Sequence, residues 1–236
     1  MHKDTIFQRY SRQIFIEEIG VTGQRKIANA KVLVVGAGGL GSPVIQYLAA
    51  AGIGRLAVVD FDQLELHNLN RQVIHQENAV GTHKVNSAAN YVSKLNSQIS
   101  FVPICEKIDK NNAERLICNY DIVVDGSDNF TTRYLVNDTC VALGKPLVYG
   151  SIFSFQGQVA VFNYKGSKHL RDLFTEPPAS NELPNCDSQG VLGPLPGIVG
   201  TMMAMLVLKI VCGLSVESDQ LTIIDTLNWN FDNIKF

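Results

Sequence analysis

Lys31-Val-Leu-Val-Val-Gly36-Ala-Gly-Gly-Leu-Gly41-Ser42 decides the fold of this 236-residue chain. A short apolar run closes on a glycine cluster, and an amphipathic stretch opens behind it. That order reads as a buried strand, a tight turn and a helix start. Gly36 permits the turn, Gly38 lets backbone approach phosphate oxygens, and Gly41 lets helix and strand pack closely. The helix N-terminus offers unpaired N–H groups and the positive end of its dipole to an anion. The first expectation is therefore a nucleotide-phosphate site.

Outward from this turn, strands and helices alternate. Strands are expected at 31–36, 55–60, 100–105, 121–125 and 146–150, and helices at 41–52, 83–96, 110–118 and 130–143. Such alternation predicts an α/β fold, a Rossmann-like, mostly parallel sheet with flanking helices on both faces. Right-handed crossovers then bring the glycine turn, Asp60 and the segment after Val124 to one sheet edge. Residues 5–30 read as two short helices. Past residue 150, Gln158-Val-Ala-Val-Phe and Leu221-Thr-Ile-Ile read as strands continuing the sheet in antiparallel fashion. Between them lie a polar loop, 165–190, and an apolar helix around 197–213. One domain is expected: N-terminal helices (1–30), a nucleotide-binding part (31–150) and a further part (151–236). A long loop within a compact domain reads as a lid or binding loop.

Hydrophobic residues at 46% and charged ones at 18% read as a soluble protein with an apolar interior. A net charge of −2 leaves no general nucleic-acid footprint. Met1-His-Lys-Asp-Thr lacks a signal-peptide core, so a cytoplasmic location is expected. The apolar run Val191–Leu214 is broken by Pro194, Pro196, Gly197 and Gly200 and charged by Lys209, so it reads as a buried helix at a subunit contact rather than a membrane span. The five cysteines are widely spaced and form no Cys-x-x-Cys, so neither a disulfide framework nor a zinc site is encoded. Cys105, Cys118, Cys140 and Cys212 fall in apolar patterns and read as core residues. Cys186 lies in the polar loop.

Asp60 ends the strand Leu56-Ala-Val-Val, where an acid accepts hydrogen bonds from ribose hydroxyls. The loop after it brings Asn68, Arg71 and Gln72 near the glycine turn. Lys84 opens the next helix, and Ser127-Asp128-Asn129 follow the strand that ends at Asp125. A dinucleotide pyrophosphate on a helix N-terminus needs no such cations; a triphosphate attacked at phosphorus does, because charge spreads over several oxygens. Asp128 is a hard oxygen ligand suited to magnesium, which bridges phosphates through one or two carboxylates. No Walker sequence is present, so ATP would sit by Asp60, Arg71, Lys84 and Asp128.

Each residue also has a plainer reading. Arg71 could pair with Asp62 or Glu65, and Lys84 could be a solvated helix residue. Asp128 and Asn129 could cap the helix from Phe130, and Arg9 and Arg12 could pair with Asp4, Glu17 or Glu18. His67, His75 and His83 recur every eight residues, on no common helix face, and read as surface residues.

Arg9-Tyr-Ser-Arg-Gln-Ile, the Gly36–Gly41 turn, Asp60, Asn68-Leu-Asn-Arg-Gln, Lys84, Ser127-Asp-Asn and Cys186-Asp-Ser-Gln-Gly-Val-Leu-Gly-Pro fall in order and at fitting intervals. Together they resemble the ThiF/MoeB/HesA adenylyltransferases, relatives of the ubiquitin-activating enzymes, from about residue 8 to 232. The resemblance implies adenylation of the C-terminal glycine carboxylate of a small ubiquitin-like sulfur-carrier protein ending in Gly-Gly, for sulfur transfer in thiamin or molybdopterin biosynthesis. Asp60 resembles the acid that holds the ribose, and Gly39 a backbone contact to the nucleotide. Asn68, Arg71 and Lys84 resemble the residues gripping the phosphates, and Asp128 the magnesium-linked acid. Arg12 resembles an arginine reaching into the neighbouring subunit's ATP site, which implies a homodimer with shared sites. The 165–190 loop resembles the crossover loop over the carrier's tail.

Two departures accompany the resemblance. Many relatives bind zinc through two Cys-x-x-Cys pairs; here the place of the first reads His169-Leu-Arg-Asp172 and the second would fall beyond Phe236, so zinc is expected to be absent. Packing of Leu170, Leu173, Phe174 and Pro177 is expected to hold the loop instead. Cys186 resembles, in the thiamin branch, a cysteine that forms an acyl-disulfide with the carrier, whereas the molybdopterin branch does not need one for adenylation. Asp187 disfavours a reactive thiolate, and Arg171 or Lys168 would favour it. Three other readings are an NAD-dependent oxidoreductase, a non-catalytic carrier-binding dimer, and adenylation of a carboxylate on modified transfer RNA. The sulfur donor is left open.

Overall fold

The computed structural model describes residues 3–178 and 190–236. Eight strands form one sheet in the order β3-β2-β1-β4-β5-β6-β7-β8. The parallel half comprises β1 (Lys31–Val35), β2 (Arg55–Val59), β3 (Ser100–Ile104), β4 (Ile122–Asp125) and β5 (Leu147–Phe153). The antiparallel half adds β6 (Gln156–Phe162), β7 (Gln220–Asp225) and β8 (Asn230–Lys235). The helices are α1 (Lys3–Ile14), α2 (Gly20–Asn29), α3 (Gly41–Ala51), α4 (Lys84–Leu95), α5 (Ala113–Ile117), α6 (Phe130–Ala142), α7 (Leu170–Leu173) and α8 (Pro194–Cys212).

Strand alternation divides the core into two layers. Val32, Val34, Leu56, Val58 and Val124 face α3, α4 and α8, while Leu33, Val35, Ala57, Val59 and Val123 face α5 and α6. Because both faces are covered, β1, β2 and β4 are apolar at nearly every position, as parallel strands must be. α8 is long and apolar enough to span a bilayer on length and composition (mean hydropathy 2.0), yet Leu195, Val199, Met203 and Val207 bury one side of it in the first layer. Its approach to the sheet runs over Gly150 and Gly157, where side chains would overlap Met203 and Val199.

The strand order reverses between β1 and β4, and this switch point positions the site. The glycine turn leaves β1 on one side and Gly126-Ser127-Asp128 leaves β4 on the other. Gly36 has φ +93°, and a Cβ there would stand 2.9 Å from the Gly126 carbonyl oxygen. At Gly41 a Cβ would collide with the Gly36 carbonyl. The two turns therefore touch only because neither carries a side chain at the contact.

Several boundaries differ from expectation. α5 is one short turn rather than 110–118, since Asn111 and Asn112 are held in an Asx arrangement by Asp109. β8 and α7 were not expected. Cys105 and Cys118 are exposed rather than core residues, whereas Cys140 and Cys212 are buried.

Candidate nucleotide site

A cavity of about 440 Å3 opens over the switch point. Gly36, Gly38 and Gly39 form its floor; Asp60, Arg71, Gln72 and Lys84 stand on one side, Ser127, Asp128 and Asn129 on the other. Among the described residues, the amides of Gly38, Gly39 and Leu40 have no hydrogen-bond acceptor. They lead into the N-terminus of α3, so the floor presents donors and a positive dipole end.

Asp60 is tied to the turn it faces. Its Oδ2 accepts the Ala37 N–H at 2.7 Å and its Oδ1 the Asp62 N–H at 2.8 Å. Burial raises the carboxyl above its ordinary range, against the opposing pull of those two amides and Lys84. Lys84 is not a solvated helix residue: its side chain is only 9% exposed, and Nζ lies 2.9 Å from Asp62 Oδ2. Arg71 pairs with neither Asp62 nor Glu65; its Nη1 donates to the His67 carbonyl at 3.1 Å and to Asn70 Oδ1 at 3.0 Å. Both cations are held at the rim by contacts that phosphate oxygens can replace.

Gln72 is buried, and its Oε1 has no hydrogen-bond partner among the described residues. An unsatisfied buried acceptor in a cavity wall calls for a ligand donor or water. Asn68 is placed differently. It is buried outside the cavity, its Oδ1 accepting the Glu65 N–H at 3.0 Å, so it shapes the loop. Gly41 likewise serves packing rather than lining. Asn129 lines the cavity, but its Oδ1 caps α6 by accepting the Thr132 N–H at 2.9 Å. That leaves the exposed Asp128 carboxylate open to the cavity, with one long contact of 3.4 Å from Asn129. A single open carboxylate beside a phosphate floor fits magnesium, which takes few protein ligands. Among the described residues no group of three or more metal-ligating side chains occurs.

Behind Asp128 lies a buried support absent from the sequence-derived set. Asp125 Oδ1 accepts both the N–H and the hydroxyl of Ser127, at 2.9 and 2.6 Å. Arg133 donates to the Ser127 carbonyl at 2.9 Å and to Ser151 Oγ at 2.8 Å, and its guanidinium lies over the rings of Tyr149 and Phe130. Its Nε stands 3.8 Å from Asp125 Oδ2, and among the described residues these two atoms lack closer partners. Burial pushes the Asp125 carboxyl upward, and the neighbouring Arg133 opposes that. A signal existed in the sequence: arginine in the first turn of a helix opposes the helix dipole and points to an acidic partner.

The histidines correct the surface reading. Of His67, His75 and His83, His67 alone is well exposed. His83 Nδ1 is buried without a partner among the described residues, and His75 is buried with Nε2 3.0 Å from the Ala37 carbonyl and Nδ1 2.9 Å from Ser87 Oγ. Arg12 is exposed on α1, away from the cavity of its own chain, and makes no ion pair among the described residues; Arg9 reaches the Leu95 carbonyl instead.

The segment His169–Asp172 is held by more than apolar packing. Leu170 is buried and Leu173 partly so, but Phe174 and Pro177 are exposed. The corrected account is a polar clasp. His169 and Asp172 cap α7 reciprocally, Arg171 grips Asp138 through two bonds of 2.7 and 2.8 Å, and Asn137 Oδ1 accepts the Leu170 N–H. Cys186 lies outside the described residues.

The model of the ThiF family matches residues 10–236. The chain is 49% identical over 228 residues to the adenylyltransferase and sulfurtransferase MOCS3 of Xenopus laevis, covering 96% of this chain and 51% of that protein. It therefore spans about half the length of the MOCS3 relatives it matches. It is 44% identical over 233 residues to the SAMP-activating enzyme E1 of Haloferax volcanii, covering 98% of this chain and 86% of that one. Among solved structures, it is similar to E. coli MccB in complex with ATP, with a TM-score of 0.82, 25% identity and coverage of 96% and 71%.

Proposed function

The chain belongs to the ThiF family, and we propose that it adenylates the C-terminal glycine carboxylate of a ubiquitin-like sulfur-carrier protein, using ATP. One observation carries this reading. Arg71, Lys84, Asp128 and the unsatisfied Gln72 converge over a floor of open amides, at the point where Asp60 faces the same turn.

In this reading the carrier carboxylate attacks the α-phosphorus, the bond to the bridging oxygen breaks, and pyrophosphate leaves with that electron pair. A carboxylate of ordinary pKa, near ~4, is already ionised at neutral pH, so no general base is required. The difficulty is repulsion between two anions. Open amides at Gly38 and Gly39, together with Arg71 and Lys84, offset it by stabilising charge that develops on the phosphate oxygens. Asp128 would hold a magnesium ion, which when bound neutralises part of the triphosphate charge. Asp60 would receive the ribose hydroxyls.

The same reading includes a homodimer. Phe7, Phe15, Ile16, Val21 and Met205 are between 47% and 66% exposed, on α1, α2, α8 and the α1–α2 connection, elements that pack on one another. A second copy would cover them and place the partner's Arg12 near the phosphates. A cytoplasmic location and a carrier of the thiamin or molybdopterin type belong to the proposal, as does the part of the 165–190 loop that would pass over the carrier tail. Sulfur would be added afterwards by a donor that displaces AMP from the acyl-adenylate. Family membership favours this over the NAD-dependent reading.

The test is ATP–pyrophosphate exchange with candidate carriers ending in Gly-Gly. One carrier should stimulate exchange, and the same carrier lacking its last glycine should not. Absence of exchange with every such carrier, in a chain that binds ATP, would reject the carrier proposal.

A further inference from the structure

We infer that His75 is a positioning residue for the nucleotide ribose, acting through Ala37 on Asp60. The inference rests on the proposed ATP site and adds a residue to it. A carbonyl only accepts, so the 3.0 Å contact between His75 Nε2 and the Ala37 oxygen puts a proton on Nε2. With the ring neutral, Nδ1 then accepts the Ser87 hydroxyl at 2.9 Å. Burial disfavours the protonated ring, the bond to the Ala37 carbonyl opposes that, and nearby Lys84 adds to the effect of burial.

Ala37 is thereby clamped on both sides of its Cα, through the two planar peptide units that meet there. Its carbonyl is fixed by His75, and its N–H is aimed at Asp60 Oδ2 at 2.7 Å. The other oxygen of Asp60 is pinned by the Asp62 amide, and Asp62 holds Lys84. Lys84 and Ser87 lie three residues apart on α4, so they share one helix face. A single helix turn thus supplies a phosphate-side cation and the anchor of the imidazole. His75 is itself buried, so its ring is largely shielded from solvent. The groups around the ring are Ser87 and Lys84 from α4, Ala37 from the glycine turn, and Asp60 and Asp62 one bond further on. Removing the Nε2 donor frees the Ala37–Gly38 peptide, lets the backbone turn about the Ala37 Cα, and so loosens the aim of the preceding N–H at the carboxylate that faces the ribose.

The test uses two side chains that mimic one imidazole nitrogen each. His75→Gln places an N–H near the position of Nε2; His75→Asn keeps a polar group toward Ser87 but stops short of Ala37. Binding of ATP and of 2′,3′-dideoxy-ATP is measured by calorimetry on the full chain, with thermal unfolding as a check. His75→Asn is expected to weaken ATP about five- to tenfold, the range of one hydrogen bond. It should leave dideoxy-ATP within about twofold, and His75→Gln should recover most of the loss. Equal weakening of both nucleotides would mean a general collapse of the turn and overturn the inference, as would unchanged ATP binding. Wild-type protein that binds ATP no better than dideoxy-ATP would instead remove the ribose role of Asp60. Wild-type protein that binds neither would remove the ATP site itself.

Discussion

The cavity at the switch point and the clasp around α7 are both rich in charge, but they treat it in opposite ways. In the clasp every charge is answered: Arg171 is bidentate on Asp138 and also donates to the Thr175 carbonyl, and His169 and Asp172 satisfy each other's backbone. In the cavity the charges are parked. Among the described residues, Lys84 leans on a half-exposed Asp62, Asp128 has one long contact, and Gln72 Oε1 has none. Polar groups that have found partners within the chain build structure; those left wanting partners in a concave wall mark where a ligand supplies them.

The largest expected effect lies in the cavity. Asp128→Ala should reduce ATP–pyrophosphate exchange by on the order of 10²-fold or more while leaving the melting temperature unchanged. Retained exchange would dissolve the contrast, since Asp128 would then be as structural as the clasp. Next is the support behind it. Arg133→Met leaves Asp125 buried without its counter-charge and should cost about 3–5 kcal/mol in urea unfolding, with Asp125→Asn in the same chain restoring part of it.

Within the clasp, the ranking should follow burial rather than charge. Leu170→Ala, at a fully buried position, should cost about 2–4 kcal/mol by the same measurement. Arg171→Ala removes a partly exposed pair and should cost less than about 1 kcal/mol. A clasp that depended more on Arg171 than on Leu170 would reverse this order.

The smallest effect is a pH dependence. His75 is held below its ordinary pKa of 6.5 mainly by burial, so the unfolded chain takes up a proton before the folded one does. Its contribution is complete above pH 6.5 and declines as pH falls below that value. The urea midpoint of the wild type should drop between pH 7 and pH 5 more than that of His75→Gln. Equal slopes would show that the ring is not buried neutral.

Much of the parallel half was legible. β1, β2 and β4 are buried on both faces and wrote themselves as unbroken apolar runs, and glycines at 36 and 41 are required by the contact with Gly126 and by helix packing. The antiparallel edge was less so. β8 is exposed along its whole length, so Asn230–Lys235 has no inward face to imprint a pattern. Its existence depends on pairing with β7 across a turn held by Asp225, which accepts from the Leu227 and Asn228 amides. α5 was overestimated for a similar reason, because Asp109 diverts the preceding residues into a local turn.

At the site, the sequence alone determined which chemical groups stand near the glycine turn: the acid ending β2, the cations of the following loop and helix, and the acid after β4. Parallel strand order carries each of those to the same edge. Only the tertiary structure decided which partner each group takes. Asn68 turned inward to its loop and Asn129 became a cap through bonds only three positions apart, whereas His75 and Arg133 emerged as buried supports through bonds that join residues 6 to 38 positions apart in the chain. A hydrogen bond of that kind is set by where packing brings two atoms, and no local pattern records it.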